Sequence, residues 1–261
     1  MSDTELKKTT TVYVLGSTRS GTSAIRNGLS QTRYMGYGEG HLAPILQDMI
    51  KAVRYHKAHG VGASVEGNGL YKLKTNVLLR YLFDGYERYL ANEFKSANLL
   101  DKTPTIAPIL LAPDLNTFHQ RPKFVYCSRR HIDNIQSKMK KFPDRNIHQH
   151  CIEWAECNKA WLTVREQLNG NFLEFDFFDL VSDTKSISTQ VGNYLDLDEE
   201  EVVSFQVYLD QKRPEAATGR DLTKFLKLSS VDWTDSEKES FVNICGPVGD
   251  RLGYGMEEYF D

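Results

Sequence analysis

The segment Thr11-Val12-Tyr13-Val14-Leu15-Gly16-Ser17-Thr18-Arg19-Ser20-Gly21-Thr22-Ser23 constrains the fold more than any other stretch of the chain. Its β-branched, apolar start ends at Gly16 and reads as a buried strand. Residues Ser23 through Leu29 then read as a helix. The turn between them has the frame GxxxxG followed, two positions later, by a hydroxyl residue, which is the frame of a P-loop. Such a turn aims backbone N–H groups at an anion, and the helix N-terminus behind it adds roughly half a positive charge. Where a nucleoside triphosphatase carries lysine, this chain has Thr22; a basic residue stands three positions earlier, as Arg19. Without that lysine the loop still suits an anion, but it suits ATP hydrolysis poorly. A Gly/Ser-rich turn that merely joins a strand to a helix is the plainer reading. The strand before and the helix after favour the anion site.

Two more runs repeat the strand pattern. Lys123–Ser128 is followed by a helical stretch from Ile132 to Lys141 that stops before Pro143, and Asn171–Phe175 is entered by the turn pair Asn169-Gly170. Leu99-Leu100 ends a short strand just before Asp101-Lys102-Thr103-Pro104. Helices are expected over about His150–Leu168 and over Thr184–Tyr194. Strands alternating with helices predict an α/β chain, P-loop-like and three-layered, with a central, mainly parallel sheet flanked by helices. A chain of 261 residues suits one domain, 1–261, with a polar tail over residues 1–10. Ligands of such folds sit at the carboxyl ends of the strands, so the residues just after each strand are the first candidates for chemistry. Residues 56–69, rich in Gly and His, and 211–230, with Pro214 and Gly219, read as long flexible loops. Lys212, Arg213 and Arg220 in the second are candidate lid contacts to phosphates.

Charge narrows the partners. Lys and Arg total 32 against 35 Asp and Glu, a net of −3, which speaks against nucleic acid as a partner and leaves room for a small basic pocket. The four cysteines form no CxxC pair, and Cys151 and Cys157, with His148 and His150 nearby, lack metal-ligand spacing. No metal is therefore expected, and the thiols are read as reduced, as in the cytoplasm. No apolar stretch follows the lysines of Met1–Thr11, so no signal peptide is read there. The strongest apolar run, Ile109-Leu110-Leu111-Ala112, falls far short of the ~18 residues of a membrane span. The expectation is a soluble cytoplasmic protein without a membrane partner.

Thr18-Arg19-Ser20-Gly21-Thr22-Ser23 resembles the 5′-phosphosulfate-binding loop of sulfotransferases that use 3′-phosphoadenosine 5′-phosphosulfate (PAPS). Other segments match that family in order. Glu39, in Gly38-Glu39-Gly40-His41, stands where tyrosylprotein and bacterial sulfotransferases carry a catalytic base. Asp101-Lys102-Thr103-Pro104 resembles the family's Asp/Asn-Lys-x-Pro segment, whose lysine contacts the transferring sulfonate. Arg129 and Ser137, eight positions apart, resemble the pair that holds the 3′-phosphate, and Leu252-Gly253-Tyr254 is a weaker match. The resemblance covers most of the chain. It implies PAPS as cofactor, adenosine 3′,5′-bisphosphate as product, and a small-molecule acceptor sulfonated on a hydroxyl or a nitrogen. Many soluble relatives act on secondary metabolites such as alkaloid toxins, and dimers are common in such families, which leaves room for a homodimer here.

The residue types suit that chemistry. Backbone donors of Ser20, Gly21, Thr22 and Ser23 would cradle the 5′ end, with Arg19 and Lys102 on the bridging and sulfonate oxygens. Arg129 offers a planar pair of donors for a phosphate, and of the two adjacent arginines Arg130 is the one read as pointing to solvent. Lys141, four residues after Ser137 on the same helical side, is a second phosphate candidate, while Lys138 and Lys140 read as a solvated face. The acceptor's proton would pass to Glu39 or to its rival His41. Asp48, Glu66 and Asp84 are candidate lining groups for a cationic acceptor. His119, His131 and the Trp154–Trp161 helix carry no assigned role. A P-loop kinase with an altered phosphate motif is the alternative, and would need Asp101 as its Mg²⁺ carboxylate.

Overall fold

A computed structural model describes residues 8–211 and 226–255. The chain runs β1 (Thr10–Leu15), α1 (Thr22–Leu29), α2 (Ala43–His59), α3 (Gly69–Lys72), α4 (Thr75–Phe94), β2 (Asn98–Lys102), α5 (Ile106–Phe118) and β3 (Pro122–Ser128). It continues through α6 (His131–Lys141), α7 (Ile147–Val164), β4 (Phe172–Asp176), α8 (Phe177–Ser182), α9 (Thr184–Leu195), α10 (Glu199–Gln211) and α11 (Asp235–Arg251). Short 3₁₀ turns cover Arg165–Leu168 and Leu228–Ser230.

The four strands form one parallel sheet in the order β2-β1-β3-β4. Both faces are covered, which is why β1 and β3 read as nearly continuous apolar runs. Tyr13, Leu15, Phe124 and Tyr126 pack on one side against α2, α4, α5 and α7, with the Tyr126 and Trp161 rings stacked 4.2 Å apart. Val12, Val14, Val125 and Cys127 pack on the other against α1, α8, α9 and α10. A third cluster joins α6, α7 and α11.

The strand order positions the site. From β1 the chain crosses to β2 on one side, whereas from β3 it crosses to β4 on the other. The crevice between the carboxyl ends of β1 and β3 is thus the topological switch point, where ligands bind in such sheets. The Gly16–Gly21 loop leaves one of these strands and Arg129 the other.

Two expectations change. Residues 56–69 are not one loop: α2 continues through His59, and α3 begins at Gly69. His56, Lys57 and His59 occupy the last turn of α2, where cationic side chains suit the negative end of the helix dipole. Of the second loop, 212–225 lies outside the described residues with Lys212, Arg213 and Arg220, while Gln211 ends α10 and Leu228 is buried. Among the described residues all four cysteines are buried and unbonded, and no helix is long and apolar enough to cross a membrane.

His119 also lies in the core. Its Nδ1 is 2.9 Å from Glu87 Oε1, both side chains are nearly inaccessible, and Thr11 donates its hydroxyl to the same carboxylate at 3.0 Å. Burial pushes Glu87 up, but His119 and Thr11 more than offset this and hold its carboxyl below the usual range. Removing the carboxylate leaves the buried Thr11 hydroxyl and His119 ring without that partner, so Glu87→Ala is expected to lower stability by about 3 kcal/mol in urea unfolding followed by far-UV circular dichroism.

Candidate active site

The turn after β1 is shaped by backbone that few residues tolerate. Gly16 has φ 146° and lies so near β3 that a Cβ there would meet the Cys127 carbonyl oxygen at 2.5 Å. Arg19 is left-handed at φ 66°, and Gly21 at φ 95° caps α1. The loop therefore wraps around the N-terminus of α1, where unpaired N–H groups gather.

The loop opens into a cleft of about 260 Å³ lined by Arg19, Gly21, Thr22, Ser23, Lys102, Arg129, Lys141 and Glu39, with Thr18, Ala24, Pro104, Phe142 and Phe177 completing its wall. Ser20 is buried beneath it, with its hydroxyl 3.0 Å from that of Ser17. Ser137 joins through Arg19, whose Nε donates to the Ser137 hydroxyl at 3.0 Å. Arg129 donates from Nη1 to the Arg19 carbonyl at 3.0 Å and stacks its guanidinium 4.1 Å from the Phe177 ring centre. Arg19, Gly21, Thr22, Ser23, Arg129 and Lys141 thus line the cleft, Ser137 touches Arg19, and Ser20 lies buried within the loop.

At the end of β2, Lys102 is 3% exposed and its ammonium donates to Glu39 Oε1. The other carboxylate oxygen of Glu39 is 3.1 Å from His41 Nε2. Lys102 holds the Glu39 carboxyl below its ordinary range, with His41 acting in the same direction. Glu39 lines the cleft, whereas His41 touches Glu39 from outside it.

The 38–41 turn rests on residues of the β2 end. Gly40 donates its N–H to the Lys102 carbonyl at 3.3 Å, and His41 donates its N–H to the Thr103 hydroxyl at 3.0 Å. A Cβ on Gly40 would meet Asp101 Oδ2 at 2.1 Å, so a larger residue here would push the Asp101 side chain aside. Burial behind the turn pushes Asp101 up to about 6.

Several side chains differ from the sequence reading. Arg130 does not point to solvent: it is buried, with Nε 2.9 Å from Asp133 Oδ2, because both belong to the packed first turn of α6. Lys138 is not on a solvated face either; it is buried 3.3 Å from Glu153. Asp48 is exposed on α2 beside Lys51, Glu66 is exposed in the turns before α3, and Asp84 meets Gln120 near the other end of the sheet. None of the three lines the cleft, where Glu39 is the one acidic side chain among the described residues. Asp101 faces Gly40 and is not part of the cleft wall. His131 is packed among Trp154, Phe241 and Tyr254. Tyr254 donates its hydroxyl to Asp176, which ties the end of α11 to β4.

The sequence reading missed Asn134, Glu153 and Phe177. Asn134 and Glu153 hydrogen-bond to the phosphate loop, and Phe177 carries Arg129. A signal existed for Asn134, since positions 134, 137 and 141 share one helical face, the spacing that singled out Lys141. Glu153 and Phe177 have only tertiary signals.

A parallel sheet with a P-loop-like strand–turn–helix loop at its switch point, bordered by basic side chains from two other strand ends, defines an open α/β fold. The particular fold is that of sulfotransferases. The chain superposes on the sulfotransferase domain of the Synechococcus PCC 7002 olefin synthase with a TM-score of 0.61 and 19% identity, covering 96% of this chain and 97% of that one. It also matches sulfotransferase STF9 from Mycobacterium avium with a TM-score of 0.52 and 12% identity, over 93% of this chain and 76% of that one. No protein-family model matches, and no curated protein matches in sequence.

A carboxyl whose folded value is raised keeps its contribution to stability below the unfolded value, near ~3.9, and loses it as pH rises through the folded one. Asp101→Asn removes that loss. It is therefore expected to leave thermal stability unchanged near pH 4 and to raise it by on the order of 2 kcal/mol above pH 6, read from melting curves across that range.

Proposed function

We propose that this chain is a PAPS-dependent sulfotransferase acting on a small-molecule acceptor. The observation that carries the reading is the pairing of buried Lys102 with Glu39 in the same cleft as the anion loop and Arg129. The donor set suits a molecule with two anionic ends. Arg19, Lys102, Arg129 and Lys141 face one carboxylate, so the cleft is short of negative charge. Backbone N–H groups of residues 20–23 take the 5′ end; Arg129, Ser137 and Lys141 take the 3′-phosphate. When bound, PAPS supplies the sulfonate and a bisphosphate leaving group.

In this reading Lys102 exchanges the Glu39 carboxylate for a sulfonate oxygen. Glu39 then loses the neighbour that holds its carboxyl low and becomes a stronger base, ready to accept the acceptor's proton. As the acceptor oxygen or nitrogen bonds to sulfur, the bond from sulfur to the bridging oxygen breaks. The bisphosphate departs with that electron pair, while Lys102 and Arg19 offset the growing charge. His41, through its contact with Glu39, orients the carboxylate. A kinase reading is less well supported, because position 22 is threonine and Asp101 faces away from the cleft. The acceptor class rests on the family resemblance, and a cytoplasmic setting on the reading of the cysteines as reduced thiols. A cationic acceptor has Glu39 as its one acidic cleft partner among the described residues.

The test is transfer from PAPS to a panel of alcohols, phenols and amines, read by mass spectrometry as sulfonate gain. Lys102→Ala and Glu39→Gln are each expected to lower kcat by about 100-fold or more, and His41→Ala by about tenfold. Affinity for adenosine 3′,5′-bisphosphate in Glu39→Gln is expected to stay within about threefold of wild type. Full turnover in Glu39→Gln would remove that residue as the base.

A further inference from the structure

The rear of the phosphate loop is gripped by two side chains with no part in the proposed transfer. Asn134, fully buried in α6, places its amide nitrogen 3.0 Å from the Thr18 carbonyl oxygen, 3.1 Å from the Ser20 hydroxyl and 3.3 Å from the Ser17 hydroxyl. An amide has only two N–H bonds, so three loop acceptors share them. Glu153, reaching from α7, accepts the Thr18 hydroxyl on Oε1 at 2.5 Å. Thr18 is therefore held at its backbone by one helix and at its side chain by another.

A carboxylate beside an anion-binding loop needs a reason, because it opposes the ligand electrostatically. Here that opposition is cancelled on the spot. Lys138 Nζ lies 3.3 Å from one Glu153 oxygen and Arg145 Nη1 lies 3.3 Å from the other, so the cluster has two cations for one anion. Burial pushes Glu153 up, but Lys138, Thr18 and Arg145 more than offset it, and the carboxylate stays ionised. What remains is geometric. The next residue, Arg19, is held left-handed at φ 66°, a conformation that costs a non-glycine residue about 1 kcal/mol or more. Fixing Thr18 on both sides keeps Arg19 in that conformation, with its side chain on Ser137.

We propose that Asn134 and Glu153 are positioning residues that preorganise the phosphate loop, so that its N–H groups and Arg19 need no reordering when the anion binds. The inference rests on the reading of this loop as the site of the donor's 5′ end. Preorganised donors bind more tightly because the ordering cost is already met in folding.

The test uses the full chain with adenosine 3′,5′-bisphosphate as probe in titration calorimetry, alongside melting curves without ligand. Asn134→Ala and Thr18→Val are each expected to weaken binding by about tenfold. Thr18→Val removes the hydroxyl while leaving the Glu153–Lys138–Arg145 cluster intact, so it tests the Glu153 contact without leaving Lys138 and Arg145 short of their carboxylate. Thr18→Ser keeps a hydroxyl and is expected to restore affinity to within about threefold of wild type. Transfer assays are expected to show the loss mainly in KM for the donor. Variants that bind within about twofold of wild type, whatever their melting temperature, would overturn the proposal. Should wild type fail to bind the bisphosphate, the functional reading falls, and sulfate then probes the loop alone. Wild type is expected to gain thermal stability with sulfate and Thr18→Val to gain less; equal gains would overturn the positioning role.

Discussion

The cleft depends on how closely the end of β1 approaches the end of β3. At Gly16 there is no room for a Cβ against the Cys127 carbonyl, and this closeness sets the phosphate loop beside Arg129. The parallel order β2-β1-β3-β4 turns that contact into a binding crevice, because the crossovers from β1 and β3 lead away on opposite sides. Lys102 reaches the same crevice from the other neighbour of β1. Three strand ends thus supply the loop, the sulfonate lysine and the phosphate arginine of the proposed site.

Charge explains why the crevice stays ready. Lys102 and Arg129 are each 3% exposed, and a buried cation without a partner is costly. Lys102 rests on Glu39, and Arg129 on the Arg19 carbonyl and the Phe177 face. Each contact is one an anionic ligand can replace or join. In the proposed reaction the Glu39–Lys102 pair would also link donor binding to basicity, since the group that lowers the carboxyl is the one a sulfonate would draw away. A net charge of −3 for the whole chain is compatible with this, because four placed cations, Arg19, Lys102, Arg129 and Lys141, line the same cleft.

The strands and the phosphate loop were legible because their signals are local. A β-branched run marks β1 and an apolar, aromatic one β3; the family resemblance pairs Arg129 with Ser137, and helical spacing adds Lys141. Residues 56–69 misled because glycine and histidine suggest a loop, yet the histidines close the last turn of α2 and the glycines only follow it. Arg130 and Lys138 misled for another reason. Basic residues usually face water, but Arg130 pairs with Asp133 three positions on, and tertiary structure brings Glu153 to Lys138. Glu153 and Phe177 were invisible in sequence because their partners, Thr18 and Arg129, lie far along the chain.

The central claim is that the crevice reads both ends of a 3′,5′-bisphosphorylated adenosine. Calorimetric titration of wild-type protein with adenosine 3′,5′-bisphosphate and with AMP, in the presence of a chelator, tests it most directly. The bisphosphate is expected to bind at least about tenfold more tightly than AMP, with no gain on adding Mg²⁺, because in the proposed site Arg129 and Ser137 engage the 3′-phosphate. Equal affinity for the two nucleotides, or tight binding of ATP that requires Mg²⁺, would contradict it.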